Sequence, residues 1–188
     1  MLASFFYRTK QYGKALSMMS YSLSKCTLKK FCFGVDFSDP TVKFMNIRAI
    51  RKKGVINSMK LLSLQPIPFI YYCTLIPSEL HMEVNNRPYT IPLVVFAHFV
   101  RVLCHYHRNN MRQCRESVTD LQLTIAEEYC IPGYQPLPLA VSYNCLGVAL
   151  QLIGETDYAK QAFVASTKLF PSPFVNTVFQ RLASLNPI

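Results

Sequence analysis

Acidic residues are scarce in this chain. Its 188 residues include four Asp and six Glu against twenty Lys and Arg, a formal net charge of +10. Glycine is scarcer still, with six residues and no Gly-rich run, which excludes a phosphate-cradling loop. The seven cysteines contain no C-x-x-C pair, and no Asn-x-Ser/Thr acceptor occurs. An odd, irregular set of cysteines reads as reduced thiols of a cytosolic or nuclear compartment, and a cytoplasmic location is expected. Met1 is followed by no charged segment and no small-residue cleavage site, so no signal peptide is expected. Long apolar runs are missing too: residues 61–78 lack charge but carry Gln65 and three prolines, which rules out a membrane helix. What remains is 51% apolar and 16% charged, the composition of a packed protein with a sizeable core.

The clearest periodicity lies in "LGVALQLIGETDYAKQAFVASTKLFP", residues 146–171. Leu146, Leu150 and Ile153 recur at helical spacing, as do Ala159, Ala162, Phe163 and Ser166 after the break at Gly154. Gly154 suits a left-handed helix exit, Asp157 suits the start of the next helix, and Pro171 ends it. Gly147 and Ala159 are the small residues that let the two helices approach, with Phe163 beside them. The spacing resembles the tetratricopeptide repeat, a stacking helical hairpin of about 34 residues. Leu150 and Ser166 depart from its usual aromatic and Ala. One unit cannot bury both faces, so neighbours are expected.

A neighbour appears at an offset of 144, where Leu2-Ala3 falls on Leu146-Gly147, Lys10 on Gly154, Ala15 on Ala159 and Met19 on Phe163. Its first helix lacks upstream packing residues, which reads as a piece of a longer protein. A third pair has Phe96, Phe99, Val100 and Leu103 on one stripe and Cys114, Val118, Leu121 and Ile125 on the other. Its polar break at His107 to Asn110 departs from the repeat pattern. The expected helices are 2–25, 92–107, 111–129, 139–153, 156–170 and 173–185.

The fold class expected is therefore all-α, antiparallel helical hairpins of tetratricopeptide-repeat type with an irregular Pro-rich insert. One domain spans 1–188: hairpin 1–26, insert 27–90, hairpin 91–130, hairpin 139–171 and a capping helix 173–185 with Phe174, Val178, Leu182 and Leu185 on one face. Prolines at 66, 68, 77 and 88 keep residues 66–90 mostly non-helical, and "LHMEVNNRPYTIP" suggests a short β-hairpin around Asn85-Asn86.

Residues 1–60 hold twelve basic and two acidic residues, whereas 61–188 hold eight of each. The excess is densest at Lys29, Lys30, Arg51, Lys52 and Lys53. These are candidates for a nucleic-acid or nucleotide contact, although no aromatic–basic interleaving accompanies them and a solvated face is the plainer reading. Cys104, His105, His107 and Cys114 are zinc-ligand types, yet they lack paired spacing and read better as helix packing; no metal or cofactor is expected. No nucleophile–base motif occurs, and Glu127-Glu128 reads as a solvated pair.

Taken together, "LASFFYRTKQYGKALSMMSYSLSKCT", "LIPSELHMEV", "IPLVVFAHFVRVLCHYHRNNMRQCRESVTDLQLTIAEEYCI" and "SYNCLGVALQLIGETDYAKQAFVAST" resemble the C-terminal helical region of invertebrate Mab-type nucleotidyltransferase-like proteins. The resemblance covers roughly residues 2–168. It implies a fragment without the nucleotidyltransferase domain, because the Gly-Ser turn and spaced carboxylates of that chemistry are absent and the four Asp stand apart at 36, 39, 120 and 157. The expectation is a non-enzymatic scaffold that binds a protein, a peptide or another domain of its parent chain, with nucleic acid as the alternative and no membrane contact. Off-stripe residues on the first helices, His98, Arg101, Asn144 and Gln151 with Val148 and His105 nearby, are expected to share a groove for that partner.

Overall fold

The computed structural model describes residues 1–26, 31–32, 63–64, 66–70, 73–84, 88–127, 136–173 and 176–185, with only the backbone of 31–32 and 63–64. Helices dominate: α1 (Leu2–Arg8), α2 (Tyr12–Lys25), the one-turn α3 (His81–Val84), α4 (Leu93–His107), α5 (Met111–Ala126), α6 (Pro136–Leu152), α7 (Thr156–Leu169) and α8 (Val178–Leu185). Four short strands accompany them: β1 (Phe31–Cys32), β2 (Ser63–Leu64), β3 (Ile67–Phe69) and β4 (Tyr89–Ile91). The fold is all-α with a small β component. Among the described residues no helix is long and apolar enough to cross a membrane.

Three helical hairpins, α1–α2, α4–α5 and α6–α7, share one turn. Each first helix exits through a left-handed residue, Lys10 (φ 58°), Asn109 (φ 55°) or Gly154 (φ 85°). The same two hydrogen bonds close each exit. Lys10 N–H donates to Tyr7 O and Gln11 N–H to Phe6 O; Asn109 and Asn110 donate to Tyr106 and His105; Gly154 and Glu155 donate to Gln151 and Leu150. This Schellman pairing satisfies carbonyls the helix end would orphan. The middle turn thus has the geometry of the other two, despite its different sequence, because Asn tolerates the left-handed region almost as Gly does.

Five residues after each left-handed position comes a small residue with no exposure: Ala15, Cys114 or Ala159. Twelve positions back on the first helix stand Ala3, Val102 and Gly147. Cys114 Sγ lies 3.5 Å from Val102 O, and a Cβ on Gly147 would meet the Phe163 ring. Met19, Val118 and Phe163 are then the buried large residues beside these contacts. The hairpins stack in chain order, α2 against α4, α5 and α4 against α6, and α8 against α7. Val178 is fully buried in the cap, with Leu182 and Leu185 packed at its margin, while Phe174 lies outside the described residues.

The stretch 2–25 forms the two helices of the expected hairpin. Three expectations are corrected. Helix α6 begins at Pro136 rather than 139, since prolines at 136 and 138 occupy a first turn whose N–H groups have no intrahelical partner. Asp157 does not cap α7: the N-cap is Glu155 with no side-chain cap bond, so Asp157 only adds charge to the first turn. The expected β-hairpin around Asn85-Asn86 is not formed as read, because His81–Val84 is helical. Strand β4 pairs antiparallel instead with β3, in the register Ile67↔Ile91, Pro68↔Thr90 and Phe69↔Tyr89. Apart from α3 and the 3₁₀ turn Ser78–Leu80, the described part of 66–90 is non-helical.

Candidate functional site

The insert does not hang off the array. Its described part, 66–70, 73–84 and 88–91, lies across the first helix of all three hairpins. Phe69, Ile76, Leu80, Val84 and Ile91 join the common core, and the Phe69 and Phe96 rings sit 5.3 Å apart. Two carboxylates four residues apart then fix it in place.

Glu79, in the 3₁₀ turn, accepts a 2.7 Å bond from the Tyr7 hydroxyl of α1. His107 Nε2, at the end of α4, is 2.9 Å from the same phenolic oxygen and 3.4 Å from Glu79 Oε1. With the phenol proton committed to Glu79, Nε2–H is the donor to Tyr7. Tyr12 of α2 stacks on the imidazole at 5.4 Å and 7°. Burial first, then the Glu79 hydrogen bond and charge, push the Tyr7 pKa far up, so the phenol stays protonated and serves as a tether.

Glu83 is fully buried. Its Oε1 accepts from Arg181 Nε at 2.9 Å and Asn144 Nδ2 at 3.1 Å, with Arg181 Nη2 at 2.8 Å and Thr177 Oγ1 at 3.4 Å. Arg181 Nη2 also donates to the Glu79 carbonyl at 2.7 Å, and Asn144 Nδ2 to the Tyr89 hydroxyl at 3.0 Å. One carboxylate thus joins α3, α6, β4 and the capping helix. Desolvation dominates the raised pKa of Tyr89, with the Cys145 and Glu83 charges adding to it. Burial and Glu83 likewise push the Cys145 thiol up.

The residues expected to line a partner groove separate. Asn144 is 2% exposed and spent on Glu83 and Tyr89, so it is not a surface donor. Val148 and His105 are buried as well. The reason is that α6 is covered on several sides, by α4, α5, α7 and β4, and has no polar face to spare. Gln151 is exposed near the end of α6. His98 and Arg101 do lie together on α4, with Arg101 Nη1 3.4 Å from His98 Nδ1, but Arg101 is paired to Asp120 of α5 at 3.1 Å. Burial, then Arg101, lower the His98 pKa to about 4, overriding the opposing pull of Asp120 at 4.0 Å. This imidazole is neutral at physiological pH and belongs to the α4–α5 packing. A single groove shared by all four is not formed; the chain's own insert occupies the face Asn144 presents.

Cys104 and Cys114 are buried packing residues, the former with its thiol pushed up to about 12 by burial. Among the described residues no three His, Cys, Asp or Glu side chains converge as a metal site. Lys29, Lys30, Arg51, Lys52 and Lys53 lie outside the described residues. Exposed large apolar side chains are scattered among the described residues, Ile70, Tyr21, Tyr158 and Leu123 included, and three of them, Met1, Leu2 and Phe5, stand together at the start of α1. Sequence reasoning missed this face and both tethering carboxylates. The signals were present: "MLASFFY" places large apolar residues on more than one side of its helix, and Glu79 and Glu83, two of only ten acids, are four positions apart. No family model matches the chain, and neither a curated protein nor a solved structure matches it.

Proposed function

We propose that the chain is a non-catalytic helical scaffold that docks another domain of its parent protein through the outer face of α1. The observation that carries this is the exposed set Met1, Leu2 and Phe5 at the end of a stacked array. End units of such arrays ordinarily present polar outer faces, and large apolar side chains there mark a contact surface. The resemblance to the helical region of Mab-type nucleotidyltransferase-like proteins supplies the occupant, a preceding nucleotidyltransferase-like domain. The insert already fills the face across the first helices that Asn144 presents, so that face is not available to a partner.

The coding sequence upstream tests this reading. A nucleotidyltransferase-like domain encoded there, expressed separately, should bind the helical chain in trans at 1:1 stoichiometry. Leu2→Lys and Phe5→Lys together should weaken that binding at least about tenfold without lowering the melting temperature, as expected for an apolar contact outside the core. An upstream region without such a domain, or binding indifferent to both changes, refutes the proposal.

A second reading rests on charge: residues 1–60 carry twelve basic and two acidic residues. Under it the first third binds nucleic acid by counterion release, so affinity for duplex falls steeply with salt. No binding at low salt removes this reading.

A further inference from the structure

Counting back from the left-handed exits Lys10, Asn109 and Gly154 gives every position of α1 a counterpart on α4 and on α6. Nine positions back stand Met1, Val100 and Cys145, and five back stand Phe5, Cys104 and Ala149. Val100, Cys104, Cys145 and Ala149 have no exposure, whereas Met1 and Phe5 are 52% and 46% exposed. Two positions back stand Arg8, His107 and Leu152, and Arg8 is exposed as well. Met1, Phe5 and Arg8 thus form an open stripe at i, i+4 and i+7 along α1.

Continuity of the array says what covers such a stripe. The second helix of one hairpin packs against the first helix of the next, α2 against α4 and α5 against α6. Tyr12, which opens α2, stacks on His107, which closes α4, at 5.4 Å and 7°. The covering helix therefore starts beside the end of the first helix and runs back along it. Phe5 is large where its counterparts are Cys and Ala, so a helix on α1 needs a small residue opposite this ring, as Phe163 lies against Gly147. Among the described residues no carboxylate lies within ion-pair distance of Arg8, whereas Arg101, Arg112 and Arg181 each have one. An acidic residue in the first turn of the covering helix suits both Arg8 and that helix's own dipole.

We infer that the outer stripe of α1 receives an amphipathic α-helix of the parent protein, antiparallel to α1 as α2 is to α4, with a small residue opposite Phe5 and an acidic first turn beside Arg8. This rests on the docking of a preceding domain at α1 and names the element of that domain that makes the contact.

The test uses the intact chain with the separately expressed upstream domain and a photo-reactive p-benzoylphenylalanine in place of Phe5 or of Arg8. Peptide mass mapping should place both cross-links in one helix of the partner, with the Arg8 probe about three or four residues nearer that helix's N-terminus than the Phe5 probe. Arg8→Glu should weaken binding roughly fivefold while the melting temperature stays unchanged, and exchanging the partner's first-turn acid for Lys should restore it. Cross-links in a strand or loop, the reverse order along a helix, capture of a second copy of this chain, or no rescue by the Lys exchange overturns the inference and leaves docking at α1 standing. No upstream domain, no complex, or binding indifferent to Leu2→Lys with Phe5→Lys refutes the docking itself, and the helix contact with it.

Discussion

Gly147→Ala sets two effects of opposite sign against each other. Gly147 lies inside α6, where exchanging glycine for alanine ordinarily gains about 1 kcal/mol in helix propensity. Here the added Cβ would fall within 3.0 Å of three Phe163 ring carbons, Cε1, Cδ1 and Cζ. The ring has no exposure and cannot swing toward solvent, so α6 and α7 must separate or the ring must leave its rotamer. Overpacking of this kind costs about 3 kcal/mol, the upper end of the usual range, leaving a net loss of about 2 kcal/mol. For a chain of this length that is a fall of roughly 4–8 °C in melting temperature, read by circular dichroism. Phe163→Leu alone is also destabilising, but in its presence Gly147→Ala should become neutral or favourable, giving a coupling of roughly 2 kcal/mol. A Gly147→Ala variant that gains stability by the helix-propensity increment in the wild-type background would show that α6 and α7 are not this close.

Three further outcomes follow from the buried polar groups. Glu83→Gln or Arg181→Met singly should cost about 3–5 kcal/mol in urea unfolding, because each leaves the other's charge buried without its counterpart; the double change should cost clearly less than the sum. Ser166 donates to Ala140 O at 2.8 Å, and its own oxygens accept from Asn176, so Ser166→Ala should cost about 1–2 kcal/mol although alanine is the usual residue of the resembled repeat. His98 has a folded pKa lowered to about 4 from its ordinary value of 6.5, so the unfolded chain takes up its proton first. Its contribution to stability is therefore whole above pH 6.5, declines as the pH falls from there toward 4, and levels off below; His98→Gln should flatten that stretch of the stability–pH curve. An unchanged curve would mean the imidazole is not shielded.

The local parts of this protein were legible in the sequence. A left-handed exit, a small residue five positions later and a large one four beyond that lie within a single hairpin, and backbone sterics act over that distance. Hence the turns at Lys10 and Gly154, with Ala15 and Ala159, and the all-α class were readable, whereas the middle turn at Asn109, read as a departure, takes the same geometry only in the structure. What no local pattern contained was the path of the insert. Strand β3 pairs with a strand twenty-two residues further on, Ile67↔Ile91 through Phe69↔Tyr89, rather than folding around Asn85-Asn86. Glu83 meets Asn144 and Arg181, partners 61 and 98 positions away. Such contacts have no periodicity to announce them, since they depend on which surfaces the stacked hairpins leave uncovered. Asn144 shows the consequence: its sequence position reads as an off-stripe polar residue facing a groove. Only the tertiary structure decides that the groove is already filled, because burying the insert's apolar side chains brings a carboxylate and a phenol to that amide.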